Sequence, residues 1–135
     1  MADITVTPAN VVPATGYGFT DGIAGETLTA GDVVYLKAGD KRFWKAAHTG
    51  EATAAAVGII LQGVAAGQPA RICTSGNINP GGTTAAGVTY CVSTNGGKIA
   101  LDSDVGSSDY KTIIGLGTTT SNINVQFHIS GVAIA

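Results

Sequence analysis

Charge is scarce in this sequence. Acidic and basic residues together make up 12% of it, about half the share usual in globular domains. Seven Lys and Arg stand against nine Asp and Glu, a formal net charge of −2. The chain therefore lacks the basic excess with which nucleic-acid binders neutralise phosphates. The same balance offers no attraction to an anionic membrane surface. Long apolar runs are absent too: no stretch approaches the ~20 residues of a membrane span. Met1-Ala2-Asp3-Ile4-Thr5 has neither a basic nor an apolar leader region, so no signal peptide is expected and synthesis is assigned to a cytoplasm. Cysteine is limited to Cys73 and Cys91, with no Cys-x-x-Cys spacing. Two such residues in a reducing compartment read as buried apolar thiols, with a disulfide as the alternative.

Catalytic vocabulary is thin as well. His48 sits in a polar turn region and His128 alternates with Phe127 and Ile129. Both read as surface or structural histidines rather than general bases. No Ser, His and carboxylate spacing matches a triad arrangement. Asp102-Ser103-Asp104 begins like a calcium loop, but the Gly and Glu that must follow are missing. Gly81-Gly82 and Gly96-Gly97 lack the Lys-Ser/Thr and the opening helix of a phosphate loop. The expectation is a non-enzyme with no cofactor and no metal, and with neither nucleic acid nor membrane among its partners.

What is abundant is glycine, 20 residues of 135. A chain of this size makes one ordinary domain and buries roughly two-thirds of its unfolded surface. One phrase recurs in it: Thr29-Ala30-Gly31-Asp32-Val33-Val34-Tyr35-Leu36, then Ala65-Ala66-Gly67-Gln68-Pro69-Ala70-Arg71-Ile72, then Ala85-Ala86-Gly87-Val88-Thr89-Tyr90-Cys91-Val92. Each reads as a turn that needs Gly, followed by a β-prone run. Val33 to Leu36 and Arg42 to Ala46 form a hairpin in which Phe43 and Trp44 face opposite sides, one in the core and one outside. An Ala-rich stretch, 47–56, has room for one helical turn.

The second half then repeats the first in order. Tyr35 answers Tyr90, Gly58 answers Gly115 and Gly76 answers Gly131, at offsets of 55, 57 and 55. Asn95-Gly96 marks the second hairpin turn. The fold expected is all-β, a small β-barrel or β-sandwich of two related hairpin-containing units, 25–76 and 82–131, within a single β domain 25–135. Residues 1–24, with Pro8, Pro13, Gly16, Gly18 and Gly22, read as an extended N-terminal arm. Two fates are open to it: a tail without order, or an arm that orders on a partner surface through Ile4, Val6, Val11, Val12, Tyr17 and Phe19. Its removal up to residue 20 is expected to leave the fold intact but to weaken attachment. Lys37, Lys41, Arg42 and Lys45 place four of the seven basic residues on one hairpin. That cluster is either a solvated tip or, with Trp44 inside it, a docking patch for an acidic protein surface. Lys41, Arg42, Trp44 and Lys45 are the contact residues expected there.

The runs Gly25 to Leu36, Ala56 to Leu61, Val64 to Ala70, and Gly87 to Val92 with Asn95-Gly96-Gly97-Lys98 resemble β modules of tailed-bacteriophage virion proteins, in particular the capsid decoration, or cement, proteins. The resemblance spans about residues 25–131, and its motifs are architectural. It implies a structural protein on the capsid exterior of a virion, bound to the major capsid protein and to itself, commonly as a homotrimer, and made in the host cytoplasm. A tail-fibre or receptor-binding β module of a phage virion is the alternative. A non-viral small barrel that binds a ligand or glycan, or an enzyme whose site the sequence does not reveal, is a further one.

Overall fold

Each Gly-bearing phrase builds the same turn. In the computed structural model, which describes residues 3–101 and 110–133, Gly31, Gly67 and Gly87 have φ of +93°, +83° and +81°. L side chains are disfavoured there and glycine is not. The residue after each Gly donates its N–H back across the turn: Asp32 to Thr29 O at 3.0 Å, Gln68 to Ala65 O at 3.1 Å, Val88 to Ala85 O at 3.3 Å. Each Gly donates outward instead, to Ile60 O, Ala24 O and Gly117 O at 2.8, 2.8 and 2.9 Å. The first amide of each turn also finds a side-chain acceptor downstream: Asp32 Oδ2 for Thr29, Gln68 Oε1 for Ala65 and the Tyr90 hydroxyl for Ala85. Three sequence copies thus give three copies of one hydrogen-bonded joint.

The strands are β1 (Val11–Pro13), β2 (Gly18–Ile23), β3 (Val33–Lys37), β4 (Arg42–Lys45), β5 (Ala56–Ile60), β6 (Pro69–Pro80), β7 (Thr89–Val92), β8 (Ile99–Leu101), β9 (Tyr110–Gly117) and β10 (Ile123–Ala133), with one α-helical turn, α1 (Glu51–Ala54), and a 3-10 turn at Pro8–Asn10. They form a nearly all-β, antiparallel sheet curled into a half-barrel. Its strand order is β4-β3-β5-β6-β10-β9-β7-β8, with β1 and β2 both paired to the far side of β6. The order reads as hairpin, strand, closing strand from either end, meeting where β6 pairs with β10.

The likeness of the halves extends to single bonds. Gly31 N with Ile60 O, and Ile60 N with Asp32 O, are matched by Gly87 N with Gly117 O, and Gly117 N with Val88 O. A bulge follows Val34 opposite Gly58 and another follows Tyr90 opposite Gly115. Glycine stands at both irregularities, where a strand tolerates a missing side chain. The structure therefore aligns Tyr90 with Val34, not with Tyr35. Val34 and Tyr90 point inward, whereas Tyr35 sits on the opposite face, so matching the two tyrosines slips the strand by one residue. The closing strands differ as well. Ile60 pairs with Ile72, and Gly117 with Ile123. Eleven residues (61–71) connect the first pair and five (118–122) the second, so the Gly67 turn has no counterpart.

Residues 3–28 run mostly extended, broken by a 3-10 turn at Pro8–Asn10, and their partner is their own chain. Asp3 bridges Ala100, Ile4 donates to Ile99 O and Thr7 to Gly81 O. β1 and β2 then run along the whole of β6, Val11 opposite Pro80 and Ile23 opposite Pro69. Beyond them Ala24 bridges Phe43 and Leu28 bridges Val64. One segment thus edges β8 at one end of the sheet and β4 at the other. Removing residues 1–20 would take these bonds and the β1 ladder with it.

Two apolar clusters result. Phe43, Val34, Ile60, Ile72, Ala70, Ala24 and Leu28 fill the ring of strands β4-β3-β5-β6-β2, which the Ala24–Phe43 bridge closes. Alternate residues of the same strands, Val33, Ile59 and Cys73, turn to the other face. There they pack with Tyr90, Val92, Ile99, Ile114, Ile123 and Val125 of the second half. Both faces of β5, and of β3 at Val33 and Val34, are therefore buried, which explains why Val57 to Leu61 reads as an unbroken apolar run.

Candidate interaction surface

The β3–β4 hairpin carries the basic residues on a tightly specified tip. Lys41 takes φ of +60° and its N–H closes the turn on Lys37 O at 2.9 Å. Asp40 accepts from the Arg42 amide at 3.0 Å and from Trp44 Nε1 at 3.1 Å. Lys37 Nζ lies 4.6 Å from the centroid of the Trp44 ring, within cation–π range. Trp44 also lies against Gly25, where a Cβ would come within 2.2 Å of its Nε1. The indole is half-buried and fixed by Asp40, Lys37 and Gly25. Phe43, its neighbour, is buried, so the adjacent aromatics divide between outside and core as alternation requires.

A second group stands on β2 and β6. Phe19, Asp21 and Ile23 alternate onto one face, and Asp21 lies opposite Arg71. The Arg71 guanidinium grips Asp21 with two bonds, Nε to Oδ1 at 2.9 Å and Nη2 to Oδ2 at 3.2 Å. Its Cζ is 4.2 Å from the Phe19 centroid, and the Tyr17 and Phe19 rings are 5.7 Å apart. The hydrogen bond from Arg71 lowers the Asp21 pKa, and the same bond raises that of Arg71.

The bridge between Ala24 and Phe43 joins these groups. Both residues point into the ring, so their neighbours Ile23, Arg42 and Trp44 point outward. The outer wall of the first half thus presents Phe19, Ile23 and Trp44 among Lys37, Lys41, Arg42, Arg71, Asp21 and Asp40. Four basic and two acidic side chains lie here, while the rest of the chain has three basic and seven acidic ones. The wall is a cationic, aromatic patch on a molecule that is otherwise acidic.

Other residues named from the sequence lie elsewhere. Val11 is buried in its own core, and Ile4 and Val6 pack against that core. Val12, 58% exposed, stands beside a shallow concavity of about 720 Å³ between Thr5, Thr7, Asn10 and the Asn79–Thr83 turn. Lys45 donates its amide to Glu26 Oε2 at 3.0 Å, and its stem lies over Gly96 and Gly97 at the seam between the halves. It is remote from the hairpin tip because it opens the strand's other end. His48 is buried rather than on the surface, and its amide donates to Ser93 O at 3.0 Å across that seam. His128 is exposed on β10. Cys73 and Cys91 are buried and are not joined in a disulfide, and burial raises the Cys73 pKa. The Asp102 to Asp104 turn lies outside the described residues.

The sequence named Tyr17, Phe19, Lys41, Arg42 and Trp44 but missed Asp21 and Ile23. Asp21 is the lone charge of β2 as Arg71 is of β6, and lone opposite charges in two strands are the available signal. Among the described residues no three His, Cys, Asp or Glu side chains cluster as metal ligands, and no helix is long and apolar enough to cross a membrane. No family model matches the chain, and no curated protein matches it.

Proposed function

We propose that this chain is a structural attachment protein that docks its outer wall on an acidic protein surface, as a decoration protein on the exterior of a tailed-phage capsid. The observation that carries this reading is the wall itself: fixed Trp44 and exposed Phe19 and Ile23 among four basic side chains. Trp, Tyr and Arg are the residues most often found as interface anchors. A cation-rich patch speeds encounter with an acidic partner and excludes basic ones. Holding Trp44 in place before contact lowers the ordering cost of binding. The resemblance of residues 25–131 to virion β modules supplies the class of partner, the major capsid protein. Attachment as a homotrimer lets modest contacts add through effective concentration.

Binding of purified protein to expanded capsids tests this. Saturable co-sedimentation with a raised capsid melting temperature is the expected result, and Lys37→Glu with Arg42→Glu should abolish both. The Tyr17–Phe19 pair beside Asp21 and Arg71 favours one alternative, a receptor-binding module that stacks a glycan on an aromatic ring. In that case cells or glycan arrays, and not capsids, would retain the protein.

A further inference from the structure

Asn95 and Gly96 stand exposed in the turn between β7 and β8. The turn closes from the Lys98 amide to Asn95 O at 3.1 Å, with Gly97 at φ of +79°. Asn95 donates its own amide to Ser93 Oγ at 3.1 Å, and Gly97 donates to Ala46 O at 2.9 Å. Between them the Gly96 N–H has no hydrogen-bond partner among the described residues. Gly96 also has no Cβ to shield its nitrogen from the Asn95 side chain. Each of the other five asparagines precedes Val, Ile or Pro, which crowd the following nitrogen or leave it without a proton. The Asn95 side chain meets the N-terminal segment. Its Nδ2 donates to Asp3 Oδ2 at 2.7 Å, and the Ser93 hydroxyl donates to Asp3 Oδ1. This clasp sits beside the Asp3–Ala100 bridge and the bond from Ile4 to Ile99 O.

We propose that Asn95-Gly96 is a self-modification site, and that its deamidation releases the N-terminal lacing of the fold. The Gly96 nitrogen gives up its proton to solvent and attacks Asn95 Cγ. An N–C bond forms, the Cγ–Nδ2 bond breaks, and Nδ2 leaves as ammonia with a proton that solvent returns. Water then opens the five-membered succinimide, at one carbonyl to aspartate and at the other to isoaspartate. No oxidant or reductant is consumed. The bond that holds the Asn95 side chain beforehand is exposed, and exposed side chains reorient rapidly. Asp3 makes the step consequential. Either product replaces the amide donor with a second carboxylate, and like charges at that range repel. Isoaspartate also routes the main chain through the former side chain, which adds a methylene to the turn. The end of the lacing thereby detaches from β8, and Ile4 and Val6 lose the anchor that keeps them against the core.

The test needs only the purified full chain, so its failure would leave the reading of the wall standing. The protein is aged at mildly alkaline pH, where the attacking nitrogen loses its proton more readily, and its peptides are mapped by mass. Asn95 should become a mixture of aspartate and isoaspartate with release of an equivalent of ammonia, while the other asparagines stay intact. Gly96→Ala should remove the change. Its methyl meets Lys45 Cβ at 3.5 Å, an ordinary contact, so the fold is retained. Hydrogen exchange reads the consequence. The Ile4 and Thr7 amides, which donate to Ile99 O and Gly81 O, should exchange faster in the aged protein and in Asn95→Asp. Adding Asp3→Asn to Asn95→Asp exchanges donor for acceptor and should restore slow exchange. An Asn95 that survives ageing overturns the proposal, as does a Gly96→Ala chain modified as fast as the wild type. Exchange at Ile4 and Thr7 that is unchanged by Asn95→Asp, or that Asp3→Asn fails to restore, overturns it as well.

Discussion

Replacing the turn glycines one at a time distinguishes the joint itself from what is packed on it. Gly67→Ala and Gly87→Ala place a methyl where nothing lies within 4 Å. Their cost is therefore the left-handed backbone alone, about 1–2 kcal/mol. Gly31→Ala carries the same cost and a steric one. Its Cβ would stand 2.6 Å from Val6 Cγ1, 3.2 Å from Pro80 O and 3.3 Å from Val11 Cγ2. Overpacking of that kind adds ~1–3 kcal/mol, so Gly31→Ala should lose about 2–5 kcal/mol in total. A chain of this length loses roughly 3–5 °C of melting temperature per kcal/mol, so the three variants separate readily. Denaturant titration followed by circular dichroism measures each, with m-values compared to confirm a common transition. Adding Val6→Ala should return part of the Gly31→Ala loss and none of the Gly87→Ala loss, the signature of direct contact in a double-mutant cycle. Equal losses at all three glycines would refute the packing of residues 6–11 on this turn. A neutral Gly87→Ala would refute the shared geometry.

Deleting residues 1–13 removes the main-chain bonds of Ile4 and Thr7, the β1 ladder and buried Val11. At ~1 kcal/mol per hydrogen bond and ~2 kcal/mol for the valine, the loss rivals the ~5–15 kcal/mol of a whole domain. The cooperative melt should disappear or fall steeply in a calorimetric scan; an unchanged melt would show that the segment is dispensable. Asp32 is buried at the seam, and desolvation raises its pKa against the opposing pull of the Thr29 amide, Lys45 and Lys98. A raised carboxyl pKa means that the fold favours the protonated form. That contribution is present at pH below the ordinary carboxylate range and is lost as pH rises through the folded value. Asp32→Asn keeps an acceptor for Thr29, so it should raise the melting temperature at neutral pH, with a gain that shrinks toward about pH 4. A lower melting temperature at neutral pH would mean that the lysines outweigh burial.

The turns were legible because their requirement is local: a positive φ calls for glycine, and a β-prone run follows. Order within the halves was legible for the same reason, since each hairpin and strand announces itself within a few residues. Register was not. Tyr35 and Tyr90 share a side chain but not a face, and facing is set by bulges opposite Gly58 and Gly115 that depend on the partner strand. The role of residues 3–28 was hidden because their partners are remote in sequence, Ile4 with Ile99 and Val11 with Pro80. Pro and Gly in that segment describe an extended path and say nothing of what it lies on. The outer wall was half legible. Trp44 and the basic hairpin stand out by composition, but Phe19, Asp21 and Ile23 join them only through the Ala24–Phe43 closure.

Capsid melting in the presence of saturating protein tests the central claim most directly. Wild-type protein should raise the melting temperature of expanded capsids. Lys37→Glu with Arg42→Glu should abolish the rise, and Lys98→Gln, away from the wall, should preserve it. A capsid whose melting is unchanged at saturation would contradict the claim, as would a rise that survives reversal of the wall's charge.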